Sequence, residues 1–190
     1  MLLPFFMKNS KVDNMSYIPI YYTGVGSRGT PFYVRKVMYD MAATFAAMGY
    51  ILRSGAAEGA DSAFQGGHYS KLKYNMEIYL PWKSFGYPPG NCSITAPDLP
   101  NFSKALEIAE KVHPAWGRVS YGARNLHARN IYQVLGIDLD TPSSIVYCWT
   151  KLGKDVGGTR TAISVARSNG IPVVNLYDVL TVCTEDAKPV

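Results

Sequence analysis

SYIPIYYTGVGSRGTP, residues 16–31, is the stretch from which the fold is read. Its first half is rich in tyrosine and isoleucine, the composition of a strand. Its second half, TGVGSRGT (23–30), is a glycine-rich loop, and Pro31 stands where the first turn of a helix accepts a residue without an N–H. Val34, Val37, Met38, Met41, Ala42 and Phe45 then recur at helical spacing, and Gly49 ends the run.

Working outward, the same strand–loop–helix unit returns. YILRS (50–54) predicts a second strand, followed by the loop GAAEGAD (55–61) and a helix of small residues from about Asp61. MEIYLP (76–81) is a third strand, stopped by Pro81, and residues 82–100, with Pro88, Pro89, Gly90, Pro97 and Pro100, read as a long surface loop. Helical patterning resumes at 102–112 and at about 123–135. SSIVYCW (143–149) is almost entirely apolar, as expected of a strand buried on both faces. GGTRTAISVARSNG (157–170) reads as a loop and a helix, IPVVNL (171–176) as the last strand, and YDVLTVC (177–183) as a short terminal piece. This alternation predicts an α/β fold, a three-layer Rossmann-like sandwich with a mainly parallel sheet of about five or more strands. Residues 1–15 read as a loose leader and 16–190 as one domain.

The composition excludes several classes. With 47% hydrophobic and 17% charged residues in 190, the chain has the material for a core and is not a disordered segment. No apolar run approaches the ~18 residues of a membrane span, and MLLPFFMK is too short for the core of an export signal. Cys92, Cys148 and Cys183 are scattered, and neither they nor His68 and His113 have metal-ligand spacing. A reduced, cytoplasmic setting with no metal and no resident cofactor is therefore expected. The excess of 19 Lys and Arg over 14 Asp and Glu, a net charge of +5, favours an anionic partner.

Three loops follow one design, with glycines placed between an apolar strand and a helix. The first offers Gly24, Gly26, Ser27 and Arg28, the second Ser54 and Gly55, and the third Gly157, Gly158, Thr159, Arg160 and Thr161. In an open parallel sheet such loops gather at the carboxyl ends of the strands, where free amides at helix starts face a phosphate and glycine allows its close approach. The competing reading is that the glycines only serve tight turns. Gly24, Gly26 and Gly29 also match G-x-G-x-x-G, but the second strand ends in Arg53 and Ser54 and Asp40 lies inside the helix. The acidic residue that would hold an NAD ribose is thus missing, and hydride transfer is disfavoured.

TGVGSRGTP (23–31), LRSGAAEGADSAFQGG (52–67), EIYLPW (77–82), ARN (128–130, with a second copy at 123–125) and GGTRTAISVARSNGIPVV (157–174) together resemble the SLOG superfamily. That superfamily includes DprA-like DNA-processing proteins, YspA-like proteins, LOG phosphoribohydrolases and sensor domains of antiphage systems. The resemblance implies a Rossmann-like domain, often a dimer, that binds nucleotides, nucleotide-derived ligands or single-stranded DNA. It adds Arg129 and Asn130, near a predicted helix start, as contacts to a phosphate or base edge. In the LOG branch the last loop reads GGxGTxxE and its Glu assists cleavage of the N-glycosidic bond. Here Arg160, Thr161 and Ala162 follow the glycines and no carboxylate comes before Asp178.

Glu58 and Asp61 are the candidate catalytic substitutes, against readings as a solvated loop charge and a helix N-cap. His127 is a candidate acid–base group or a partly buried polar residue, and Trp82 and Trp149 are candidate stacking platforms or packing rings. The expectation is binding, by sensing or sequestration, of a phosphorylated nucleotide-derived ligand such as a cyclic ADP-ribose species. DprA-like binding of single-stranded DNA and LOG-like N-glycosidase activity are the alternatives.

Overall fold

The central strands carry buried side chains on both faces, so the sheet can be stable only with helices on both sides. The computed structural model describes residues 18–86, 88 and 90–185; the leader read at 1–15 lies outside them. In chain order the elements are β1 (Tyr21–Gly24), α1 (Phe32–Ala47), β2 (Ile51–Ser54), α2 (Ala60–Lys71), β3 (Met76–Leu80), β4 (Ser93–Thr95), α3 (Phe102–Val112), α4 (Tyr121–Leu135), β5 (Ile145–Cys148), α5 (Thr159–Ser168), β6 (Val173–Asn175) and α6 (Leu176–Glu185). The six strands form one sheet in the order β4-β3-β2-β1-β5-β6, and every neighbouring pair is parallel. This is the three-layer Rossmann-like sandwich that the alternation predicts.

The period of two along each strand divides the core into two clusters. On one face Tyr22, Leu52, Ile78 and Leu80 pack with Val34, Met38 and Ala42 of α1, Phe64 of α2 and Leu176 of α6. On the other, Tyr79, Val146 and Cys148 pack with Ala105 and Ala109 of α3, Ile131, Tyr132 and Leu135 of α4, and Ile163 and Val165 of α5. β5 feeds both: Val146 and Cys148 face one cluster, while Ile145 and Tyr147 lean on the other. Fully burying each Val, Leu, Ile, Phe or Met among these contributes about 1.5–3 kcal/mol.

Three expectations need correction. The segment 82–100 is not all loop, because Ser93–Thr95 pairs with Ile78–Leu80 as a short edge strand. Its prolines lie outside those three residues, so the ladder tolerates them. The terminal piece at 177–183 is part of α6, which begins directly at the end of β6 and seats Leu176, Tyr177 and Leu180 on the core. Arg129 and Asn130 are not near a helix start, since α4 begins at Tyr121 and both lie in its buried interior. Among the described residues, no helix is long and apolar enough to cross a membrane.

Candidate functional site

β1 and β5 are neighbours, yet the chain leaves them in opposite directions: β1 leads through α1 to β2, and β5 through α5 to β6 on the other side. Such a reversal opens a crevice beyond the carboxyl ends of the two strands. The loop after β1 extends the sheet pairing, with Val25 N–H donating to Tyr147 C=O (3.1 Å) and Ser27 N–H to Trp149 C=O (3.0 Å). Ser27 then closes a turn, accepting Thr30 Oγ1–H on its carbonyl (2.6 Å) and Gly29 N–H on its hydroxyl (3.1 Å).

A cavity of about 420 Å³ occupies the crevice. Gly26, Ser27 and Arg28 form one rim, and Thr150, Lys151, Gly157, Gly158 and Thr159 the other. Leu126, His127, Arg129 and Gln133 of α4 line it together with Asp61 and Phe85. Arg28 and Lys151 are exposed at the mouth and give it positive charge.

Asp61 and Arg129 form a buried ion pair at its wall, Nη1 to Oδ2 at 3.1 Å, with side chains 3% and 7% exposed. Burial raises the Asp61 carboxyl above the usual range, opposed by the Arg129 guanidinium and by backbone N–H groups of Ala57 and Gly26. Asp61 is therefore no simple helix cap: its carboxylate ties α2, the first glycine loop and α4 together. The Arg129 guanidinium also lies 5.6 Å from the Phe85 ring centroid, and its Nε has no partner.

Gly55 makes this arrangement possible, because a Cβ there would lie 1.4 Å from Arg129 Nη1 and 2.3 Å from Gln133 Nε2. Gly59, at φ +86°, takes a backbone conformation that L side chains rarely adopt, and a Cβ would meet the carbonyls of Ser27 and Arg28 at 2.6 Å. The loop after β2 is thus shaped by close approach of protein to protein.

The remaining predicted residues surround this centre. Asn130 Nδ2–H donates to Gly158 C=O (2.8 Å), holding the third loop against α4. Thr161 bonds His127 Nδ1 through its hydroxyl (2.7 Å). Ser54 Oγ–H donates to Gly24 C=O (2.7 Å) and joins β2 to β1. Gly24, Ser54, Gly55, Asn130, Arg160 and Thr161 are not in the cavity lining, and Arg160 is exposed on α5. Glu58 is exposed outside the cavity, a solvated loop charge.

His127 stands beside His113, ring centroids 4.6 Å apart, and Trp116 at 6.0 Å. Burial, with the nearby charges of His113 and Arg129, lowers its pKa to about 4, so the ring is neutral at physiological pH. Trp149 is 6% exposed and belongs to the core, which overturns its reading as a stacking platform. Trp82 is exposed and meets Phe85 edge-on at 5.1 Å. Among the described residues, no group of three or more His, Cys, Asp or Glu forms a metal cluster.

Several lining residues were missed by the sequence reading, among them Leu126, Thr150, Lys151, Gln133 and Phe85. Gln133 had a usable signal, since it lies four residues after Arg129 and so shares its helix face. Phe85 had none: it sits in the loop after β3, and the packing of Gly86 onto the Ala56 carbonyl, seen only in the fold, brings it there.

No family model matches the chain, and no curated protein does. Among solved structures it is similar to DNA processing protein A from Helicobacter pylori, reported for its single-stranded DNA binding mode, with a TM-score of 0.51 and 18% identity over 82% of this chain and 64% of that one. The chain spans less than two thirds of that protein's length. At this identity the likeness establishes a shared fold alone.

Proposed function

We propose that the crevice binds a phosphorylated, nucleotide-derived small molecule. The observation that carries this reading is the convergence of two glycine loops and the buried Arg129 on one cavity from distant parts of the chain. Phosphate is the group such a site suits: the Thr159 hydroxyl, the Arg28 guanidinium and amides at the start of α5 are donors for an oxyanion, and Lys151 adds charge. A volume of about 420 Å³ falls in the range of small-ligand pockets.

Binding, as in sensing or sequestration, is favoured over turnover. Asp61 is the carboxylate in the described lining, and Arg129 and two backbone amides already engage it. The test is native mass spectrometry of the purified protein, with chromatography of what heat denaturation releases. A co-purifying nucleotide, lost in Arg28→Ala and in Thr159→Ala while both variants stay folded, is the expected result. Normal ligand retention in both variants refutes the reading.

One further observation favours single-stranded DNA as a second reading. A groove of about 290 Å³ between α1 and the start of α2 is lined by Phe32, Arg35, Lys36 and Tyr39, with Phe32 and Tyr39 exposed. Rings interleaved with cations suit stacked bases and phosphates. The solved structure of similar fold is of a protein described as binding single-stranded DNA. An oligonucleotide whose affinity falls steeply with salt supports this reading; absent or salt-insensitive binding removes it.

A further inference from the structure

The buried Gln133 carboxamide is the least explained group in the cavity. The residue is 0% exposed, and neither its Nε2 nor its Oε1 has a hydrogen-bond partner. Its backbone carbonyl, by contrast, accepts Thr23 Oγ1–H at 2.6 Å and so fixes α4 against β1. An unmade pair of amide hydrogen bonds destabilises a folded chain, and a leucine of nearly the same size would avoid it. Gln133 also lines the cavity, as do Phe85 and Arg129, whose Nε is likewise unpartnered.

A carboxamide offers one donor and one acceptor side by side. Its planar complement is an edge with an acceptor next to a donor, which nucleobases carry and ionised phosphates and carboxylates do not; a ribose diol can also answer a carboxamide, and ribose 5-phosphate is the control for that. We propose that Gln133 is the base-reading residue of the site, pairing through its carboxamide with the edge of a nucleobase that packs against Phe85. This rests on the reading of the crevice as a site for a phosphorylated, nucleotide-derived ligand. It adds that the base is bound inside the cavity and distinguished there, with the phosphate held at the glycine loops. Arg129, lying with Gln133 over Gly55, supplies a neighbouring donor through Nε.

The test compares ribose 5-phosphate with AMP, GMP, CMP and UMP by calorimetric titration of the full chain, wild type and Gln133→Leu. At least one nucleotide is expected to bind wild type ten-fold or more tightly than ribose 5-phosphate. Gln133→Leu should erase that preference, leave ribose 5-phosphate affinity within two-fold, and keep or raise the Tm of the unliganded protein. A glutamine that merely supports the fold would instead lower the Tm and weaken all five ligands alike, which overturns the assignment. Wild type that binds ribose 5-phosphate as tightly as every nucleotide overturns the base-reading role and leaves the phosphate site standing. Wild type that binds none of the five refutes both. Should Gln133→Leu fail to fold, Gln133→Glu replaces the amide donor with an acceptor; an unaltered rank order of the four nucleotides then overturns the proposal.

Discussion

The glycines after β1 and those after β5 occupy equivalent places in the topology, and their surroundings are opposite. A Cβ on Gly24 would lie 2.5 Å from Phe64 Cγ, and one on Gly26 would lie 2.6 Å from Ala60 Cβ and 2.9 Å from the Trp149 carbonyl. A Cβ on Gly157 or Gly158 would meet no protein atom within 4 Å. The first loop is glycine-rich because the protein packs against it, as the tight-turn reading supposes. In the loop after β5, Gly157 is accounted for by its φ of +65°, whereas Gly158, with helical angles and no neighbour, leaves room for something other than the protein. The same pattern in sequence therefore has two physical causes, and only neighbours distant along the chain separate them.

The largest effect that would sharpen this contrast is at the link between the two sides. Arg129→Ala leaves Asp61 buried without its partner, and breaking a buried pair in this way costs about 3–5 kcal/mol. A chemical-denaturation curve should show that loss; an unchanged midpoint would mean the pair does not brace the cavity. Next comes Gly24→Ala on the packed side. The added methyl must displace Phe64, and overpacking of this kind costs about 1–3 kcal/mol, read as a lowered Tm.

On the open side, Gly158→Ala should change stability by no more than ~0.5 kcal/mol, since Gly158 has helical φ and ψ of −63° and −35° and nothing nearby. Its ligand affinity should nonetheless fall, because the methyl stands over the amides at the start of α5. Equal losses of stability in Gly24→Ala and Gly158→Ala would dissolve the distinction between the loops.

A further effect, read as a slope against pH, comes from the buried histidines. Burial depresses His68 and His127 from 6.5 to about 4, so the unfolded chain binds protons in that window that the folded chain does not. The stability they contribute is complete above pH ~6.5 and is lost as pH falls towards 4. The raised carboxyl of Asp61 acts in the opposite sense. Comparing wild type with His127→Gln isolates the histidine: the variant should lose less stability between pH 6.5 and 4 in urea titrations, by the linkage of about one proton.

Much of the fold was legible in the chain. The helices at 32–47 and 102–112 and the strand at 76–80 follow from apolar period and from the stops Gly49 and Pro81. The edge strand Ser93–Thr95 was hidden because three residues among prolines carry no measurable period. Helix α6 was curtailed because β6 runs into it without a turn residue. For the candidate site, glycine and hydroxyl spacing pointed to the loops that border the crevice, but not to the division between packed and open loops.

The sequence by itself determined the α/β alternation, the parallel sheet and the end of it at which the glycine loops gather, because these depend on periodicity and turn chemistry within one segment. Only the tertiary structure decided that Trp149 is core, that Asp61 is paired with Arg129, and that Phe85 and Gln133 line the cavity. These depend on residues far apart in the chain meeting in space, as Asp61 and Arg129, 68 positions apart, do. Local pattern holds no record of such meetings, since packing and desolvation act through space and not along the chain.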